Sequence, residues 1–166
     1  MFEFLVNLIK SSFGNVESQV FLGSHYINKS NPSSAMKWLK RAAEKGEPRA
    51  YTGLGYCNDL DGNIEEALRY YQLAIASGEA EAPYLLGLLY FIGEDVPKDS
   101  NKAFECYSLS AKRGFPNAIH MLAWCYEQGV GTDEDIEMAT RLYKQAASLG
   151  VPEAKEALQL NGTTVE

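Results

Sequence analysis

Histidine and paired cysteine are what this sequence has least of, and their scarcity removes most catalytic chemistry at once. The 166 residues hold two histidines, His25 and His120, and three cysteines, Cys57, Cys106 and Cys125. An odd number of cysteines with no CxxC pair argues against a disulfide framework or a zinc site. They read as small buried thiols in a reducing compartment. No glycine-rich loop followed by Lys is present to cradle a phosphate, so no cofactor is expected.

Positive charge is also short: 15 Lys and Arg stand against 22 Asp and Glu, a formal charge of −7. That balance repels nucleic-acid backbones and anionic lipid unless a basic patch intervenes. The nearest candidate, "KWLKRAAEK" (37–45), spaces its cations so that a helix sends them to solvent, and nucleic-acid binding is not expected. A membrane span needs about 18 or more apolar residues, and the apolar start "MFEFLVNLIK" is interrupted by Asn7 and Lys10. It has no basic leader or cleavage site and carries Glu3, so it is a poor secretory signal. A cytoplasmic protein without membrane association is therefore expected. With 46% hydrophobic and 22% charged residues, the chain has the apolar content of one packed domain.

The chain does contain a period. "AAEKGEPRA" (42–50) is copied in layout by "AIASGEAEA" (74–82), "SAKRGFPNA" (110–118) and "AASLGVPEA" (146–154). Gly46, Gly78, Gly114 and Gly150 are separated by 32, 36 and 36 residues, and so are Ala35, Ala67, Ala103 and Ala139. A fixed step of this size is the signature of a solenoid. Each unit reads as two helices. Helix A carries a small residue, Leu four on, Gly or Ala five on and usually Tyr eight on, as in "APYLLGLLY", which places all four on one inward face. Helix B follows Asn31, Asn63, Asp99 or Asp135, residue types that cap a first turn, with Pro32 at N1 and Glu66 placed to complete a capping box with Asn63. Gly then ends helix B in the left-handed conformation, and Pro opens the next helix A in three of four copies.

The expected fold is an all-α solenoid, a right-handed α/α superhelix of four helix-turn-helix repeats with a capping helix at each end. Residues 1–16 form the first cap, 17–48, 49–80, 81–116 and 117–152 the repeats, 153–160 the second cap and 161–166 a loose tail.

The unit A-x-x-x-L-G-x-x-Y, a loop, D-x-x-K-A, an aromatic pair and A-A-x-x-G resembles the Sel-one-like repeat, a relative of the tetratricopeptide repeat. The third unit carries it most fully in Ala82, Leu86, Gly87, Tyr90, Gly93, Val96, Asp99, Lys102, Ala103, Tyr107, Ala111 and Gly114. Units one and two lack the Gly-x-Gly-Val loop segment, which unit four keeps as "GVGTDED", and Asn58 stands where Tyr is expected. The resemblance implies a superhelix that binds a partner along its concave face; in bacteria such proteins act as adaptors in signalling, envelope biogenesis, secretion and host contact. A cysteine-rich branch, linked to β-lactam binding and hydrolysis, pairs cysteines in slots that here hold Tyr51, Pro83 and Ile119, and Ala43, Ile75, Ala111 and Ala147. This chain is outside that branch.

Catalysis finds little purchase. His25 reads as a core or rim residue, and no Ser or Cys of its own unit shares the face of His120. The acidic runs "NDLDGNIEE" and "TDEDIE" lack the sixth-position Gly and twelfth-position Glu of a calcium loop and suit helix first turns instead.

If the inner face of helix A lines the groove, as in the tetratricopeptide relatives, the residues two, six and nine after its leading position point into it. From the second unit on these include Thr52, Tyr56, Tyr84, Leu88, Phe91, His120, Trp124 and Glu127, bordered by polar residues such as Arg49. The strip is richer in aromatic groups than a solvated face requires. The expected function is a non-enzymatic adaptor holding a peptide or helix of another protein in this groove. The alternative is a small-ligand-binding or hydrolytic protein, acting on a cell-wall-type or other small molecule, that uses the groove with His120. Some of these side chains could instead pack between units. No repeat position speaks to the oligomeric state.

Overall fold

The computed structural model describes residues 2–160; the tail expected at 161–166 lies outside the described residues. The described residues form ten α-helices and no strand, an all-α helical repeat fold of the solenoid class. The chain divides into two compact units, Met1–Glu79 and Ala80–Glu166. In the N-terminal unit α1 (Phe2–Ser12) packs on α2 (Val16–Asn28), α2 pairs with α3 (Pro32–Ala43), and α3 stacks on the next pair, α4 (Pro48–Leu60) and α5 (Ile64–Ala76). The C-terminal unit has the same order. There α6 (Glu81–Ile92) pairs with α7 (Ser100–Lys112), α7 stacks on α8 (Pro116–Gln128), α8 pairs with α9 (Ile136–Ser148), and α10 (Pro152–Leu160) closes α9.

The repeated junction is a helix-ending motif. At Gly46 the backbone turns left-handed, with φ of +77°, its N–H donates to the Ala43 carbonyl, and the Glu47 N–H donates to the Ala42 carbonyl. This pair of bonds satisfies the carbonyls that a helix end otherwise leaves bare. The same two bonds recur at Gly78, Gly114 and Gly150, and at Gly14, which ends α1 thirty-two residues earlier. Helix α1 thus ends by the rule of helix B although its residues match that slot poorly. At the other end of the molecule, Ala154 and Leu158 of α10 are buried at the spacing of an abbreviated helix A.

Three of the four expected N-caps form: Asn31, Asp99 and Asp135 accept from the backbone N–H groups of Ser34, Lys102 and Met138. The fourth is a correction. Asn63 makes no side-chain cap bond, and its own N–H donates to the Asn58 carbonyl at 2.8 Å, closing the end of α4. Glu66 therefore has no donor to reach back to and instead takes Arg69 at 2.7 Å, so the expected capping box is absent.

The inward face of helix A is as expected, with Ala50, Leu54, Gly55, Ala82, Ala118 and Ala123 all buried. What fills the space above its fifth position is a side chain of helix B. A Cβ on Gly55 would lie 2.7 Å from the Tyr71 ring, and one on Gly87 would lie 2.7 Å from the Tyr107 ring. Tyr71, Tyr107 and Tyr143 recur at the 36-residue step and are fully buried in the α4–α5, α6–α7 and α8–α9 pairs; in the α2–α3 pair Leu39 holds the slot.

Candidate functional site

The nine residues of the expected strip divide between the two units, three on α4 and six on α6 and α8. On α4, Arg49 is exposed and held by Glu47 at 2.7 Å and Glu17 at 3.0 Å. Tyr56 is half-buried. Thr52 departs from the expectation of a groove-facing group: it is buried, and its hydroxyl donates to Glu79 at 2.9 Å. The Glu79 carboxylate approaches because the helix-ending turn at Gly78 directs the following residue back over α4, a contact across 27 residues that no local pattern announces.

On α6 and α8 the spacing i, i+4, i+7 sets Tyr84, Leu88 and Phe91 along one face of α6, and His120, Trp124 and Glu127 along one face of α8. All six are half-buried, so each both packs inward and presents surface. Phe91 and Trp124 meet edge to face with centroids 5.2 Å apart, and the Lys98 ammonium lies 5.5 Å from the Phe91 ring. Such aromatic pairs contribute about 1 kcal/mol beyond the area they bury. Tyr84 leans on Phe115 at 5.2 Å and Tyr107 at 6.1 Å. His120 packs against Tyr143 at 5.6 Å, and the Tyr143 hydroxyl donates to Glu127 at 3.0 Å.

Phe115, Tyr107 and Tyr143 were absent from the sequence-derived strip although they support it. The last two were legible as a 36-residue step on helix B; Phe115, in the junction, carries no such signal.

Burial holds the His120 imidazole below its ordinary value, against the opposing pull of the Glu153 and Glu127 carboxylates. Burial likewise raises the Tyr84 phenol, with Glu153 and then Glu81 adding to the effect. The strip therefore presents a neutral imidazole and neutral phenols beside carboxylates at neutral pH. His25 is a rim residue, as expected, with its ring 4.7 Å from Phe4 of α1. Among the described residues no three His, Cys, Asp or Glu side chains gather to hold a metal, and no helix is long and apolar enough to cross a membrane.

The three thiols are free, and burial pushes each up to about 11 from 9.0. Such thiols are protonated and poor nucleophiles at neutral pH. The unfolded chain loses these protons near pH 9 while the folded chain keeps them until about 11, so the folded state binds more protons in that window. Stability is thus full below pH 9 and falls as pH rises from 9 through 11. Melting curves across that range should fall more steeply for the native sequence than for a Cys57→Ala, Cys125→Ala variant; parallel slopes would show that thiol burial is not the cause.

A family model, the Sel1 repeat, matches residues 16–47, 48–79, 80–115 and 116–151. The chain belongs to the Sel1 repeat family. A crystallised Sel1 repeat protein from Oxalobacter formigenes is 36% identical over 73% of this chain and 94% of that one, with a TM-score of 0.66. A protective antigen of uropathogenic Escherichia coli with the same class of fold is 26% identical, with a TM-score of 0.74. The match covers 93% of this chain and only 35% of the antigen. Cysteine rich protein B of Helicobacter pylori, 22% identical over 78% of this chain and 96% of its own with a TM-score of 0.64, shares the fold. No curated protein matches the chain. Sel1 repeat proteins generally mediate protein–protein interaction. In this Sel1 chain the slots Tyr51 and Ala43 are joined by a hydrogen bond, the Tyr51 hydroxyl donating to the Ala43 carbonyl at 3.1 Å.

Proposed function

We propose that this Sel1 repeat chain is a non-enzymatic cytoplasmic adaptor that takes a peptide or a helix of another protein against the strip of Tyr84, Leu88, Phe91, His120, Trp124 and Glu127. The observation that carries the reading is that these six are half-buried, mostly aromatic, and stand at register positions that the repeat leaves unrepeated. Periodic residues serve stacking; aromatic groups that are only half covered gain most by burying the remainder against a partner. On α4, Thr52 and Tyr56 hold the repeat positions of Tyr84 and Leu88, with Thr52 tied to Glu79, and Arg49 holds the polar bordering position. The carboxylates around His120 and Tyr84 favour a partner segment that brings a Lys or Arg beside its apolar anchors. A cytosolic setting accords with three free cysteines.

Hydrolysis gains no support from this geometry. The neutral His120 faces Tyr143, and the Cys125 thiol is buried and protonated.

The test is affinity capture from the source cell with the native chain, Trp124→Ala and Phe91→Ala as baits, each checked by circular dichroism to be fully folded at the capture temperature. Recovery of co-purifying protein is expected to fall about tenfold or more for both variants, the loss of an interface hot spot. Undiminished recovery by folded variants would overturn the assignment.

A further inference from the structure

Helix α1 carries an apolar stripe that the stack does not use. Phe2, Leu5 and Ile9 of α1 and Phe13 in the turn that follows it are 83%, 49%, 60% and 88% exposed; the spacing of the first three places them within one narrow face, and Phe13, whose N–H donates to the Ile9 carbonyl, continues it. Phe4, Leu8 and Ser11 lie on the opposite side, where α1 packs on α2. The other large apolar side chains that are exposed among the described residues, such as Leu60, Ile92 and Ile136, stand singly on separate helices. The repeat register shows that stacking does not require this stripe. The slot of Leu5 holds Lys37, Arg69, Glu105 and Arg141 in α3, α5, α7 and α9, every one exposed.

We infer that this face joins a second copy of the chain, α1 against α1, antiparallel about a two-fold axis. Two observations select that occupant. The first is charge: Glu3 and Lys10 are seven residues apart on one flank of the stripe. A two-fold axis in the interface plane brings the same flank of both copies together and reverses their direction, so Glu3 of each copy faces Lys10 of the other. A parallel pair makes neither contact. The second is area: four large side chains exposed to this degree offer about 500 Å² per copy, or about 1,000 Å² for the pair, which meets the lower bound for a specific interface.

An interfacial membrane helix is the competing occupant and fits less well. Helices of that kind line their polar face with Lys and Arg, whereas α1 has the single cation Lys10 balanced by Glu3, in a chain of net charge −7.

Sedimentation equilibrium over about 1 μM to 1 mM tests the inference on the whole chain. The native chain should pass from monomer to dimer within that range, and Leu5→Glu with Ile9→Glu should remain monomeric with an unchanged melting profile. Glu3→Lys alone should weaken the dimer, and Glu3→Lys with Lys10→Glu should restore it, because the swap re-forms both pairs in reverse. A native chain monomeric throughout, a dimer indifferent to the stripe, or a charge swap that fails to restore association would overturn the proposal. So would a monomer that binds vesicles of anionic phospholipid through Leu5 and Ile9.

Discussion

Gly131→Ala should lower the unfolding free energy by about 3 kcal/mol, measured by urea denaturation, while Gly114→Ala should cost only about 1 kcal/mol. Both glycines have left-handed backbone, with φ of +70° and +84°, so both substitutions carry the same conformational penalty. They differ in what surrounds the added methyl. A Cβ at Gly114 meets nothing within 4 Å, whereas one at Gly131 would lie 2.2 Å from the Ser100 carbonyl oxygen and 2.8 Å from the Phe104 Cβ. The loop after α8 crosses directly on the first turn of α7, and backbone cannot yield as the tip of a long side chain can. Equal losses at the two sites would mean that this crossing is looser than the structure has it.

Tyr107→Ala should cost about 4 kcal/mol, the loss of a large aromatic group from a site with no room to collapse cheaply. The ring is fully buried and lies against Gly87, which has no side chain to move into the space. Its hydroxyl, however, has no hydrogen-bond partner among the described residues. Tyr107→Phe should therefore be neutral or slightly stabilising, because a buried polar atom without a partner is removed. Tyr143→Phe should behave in the opposite way and cost about 1–2 kcal/mol, since the same slot one repeat later donates to the Glu127 carboxylate. Midpoints of urea unfolding for the three variants separate the aromatic volume from the hydroxyl. A Tyr107→Phe loss as large as that of Tyr143→Phe would show that the buried hydroxyl is satisfied after all.

Much of the fold was legible because its physics is local. A Gly that turns left-handed, an Asn or Asp that caps three residues ahead, and apolar residues at helical spacing all act within a few residues of themselves. Their repetition at 32 and 36 residues therefore reported helix pairs, junctions and inward faces directly. The capping box at Asn63 shows the boundary of that logic. Its residues are correctly spaced, yet the end of the preceding helix claims the same N–H, and a pattern read one helix at a time does not register the competition.

The strip lies further beyond that boundary. By itself the sequence determined that the chain is built of repeated helix pairs and which periodic residues each pair must bury, and it marked Tyr56, Tyr84, Phe91, His120 and Trp124 as positions whose residue types the repeat does not fix. Only the tertiary structure decided what those residues touch. Thr52 is tied to Glu79, Phe91 meets Trp124, and His120 rests on Tyr143, over separations of 27, 33 and 23 residues. Such contacts depend on how one helix is rotated and shifted against another. That is set by the volumes packed between them, the Tyr71 ring over Gly55 or the Tyr107 ring over Gly87, and not by any spacing along the chain.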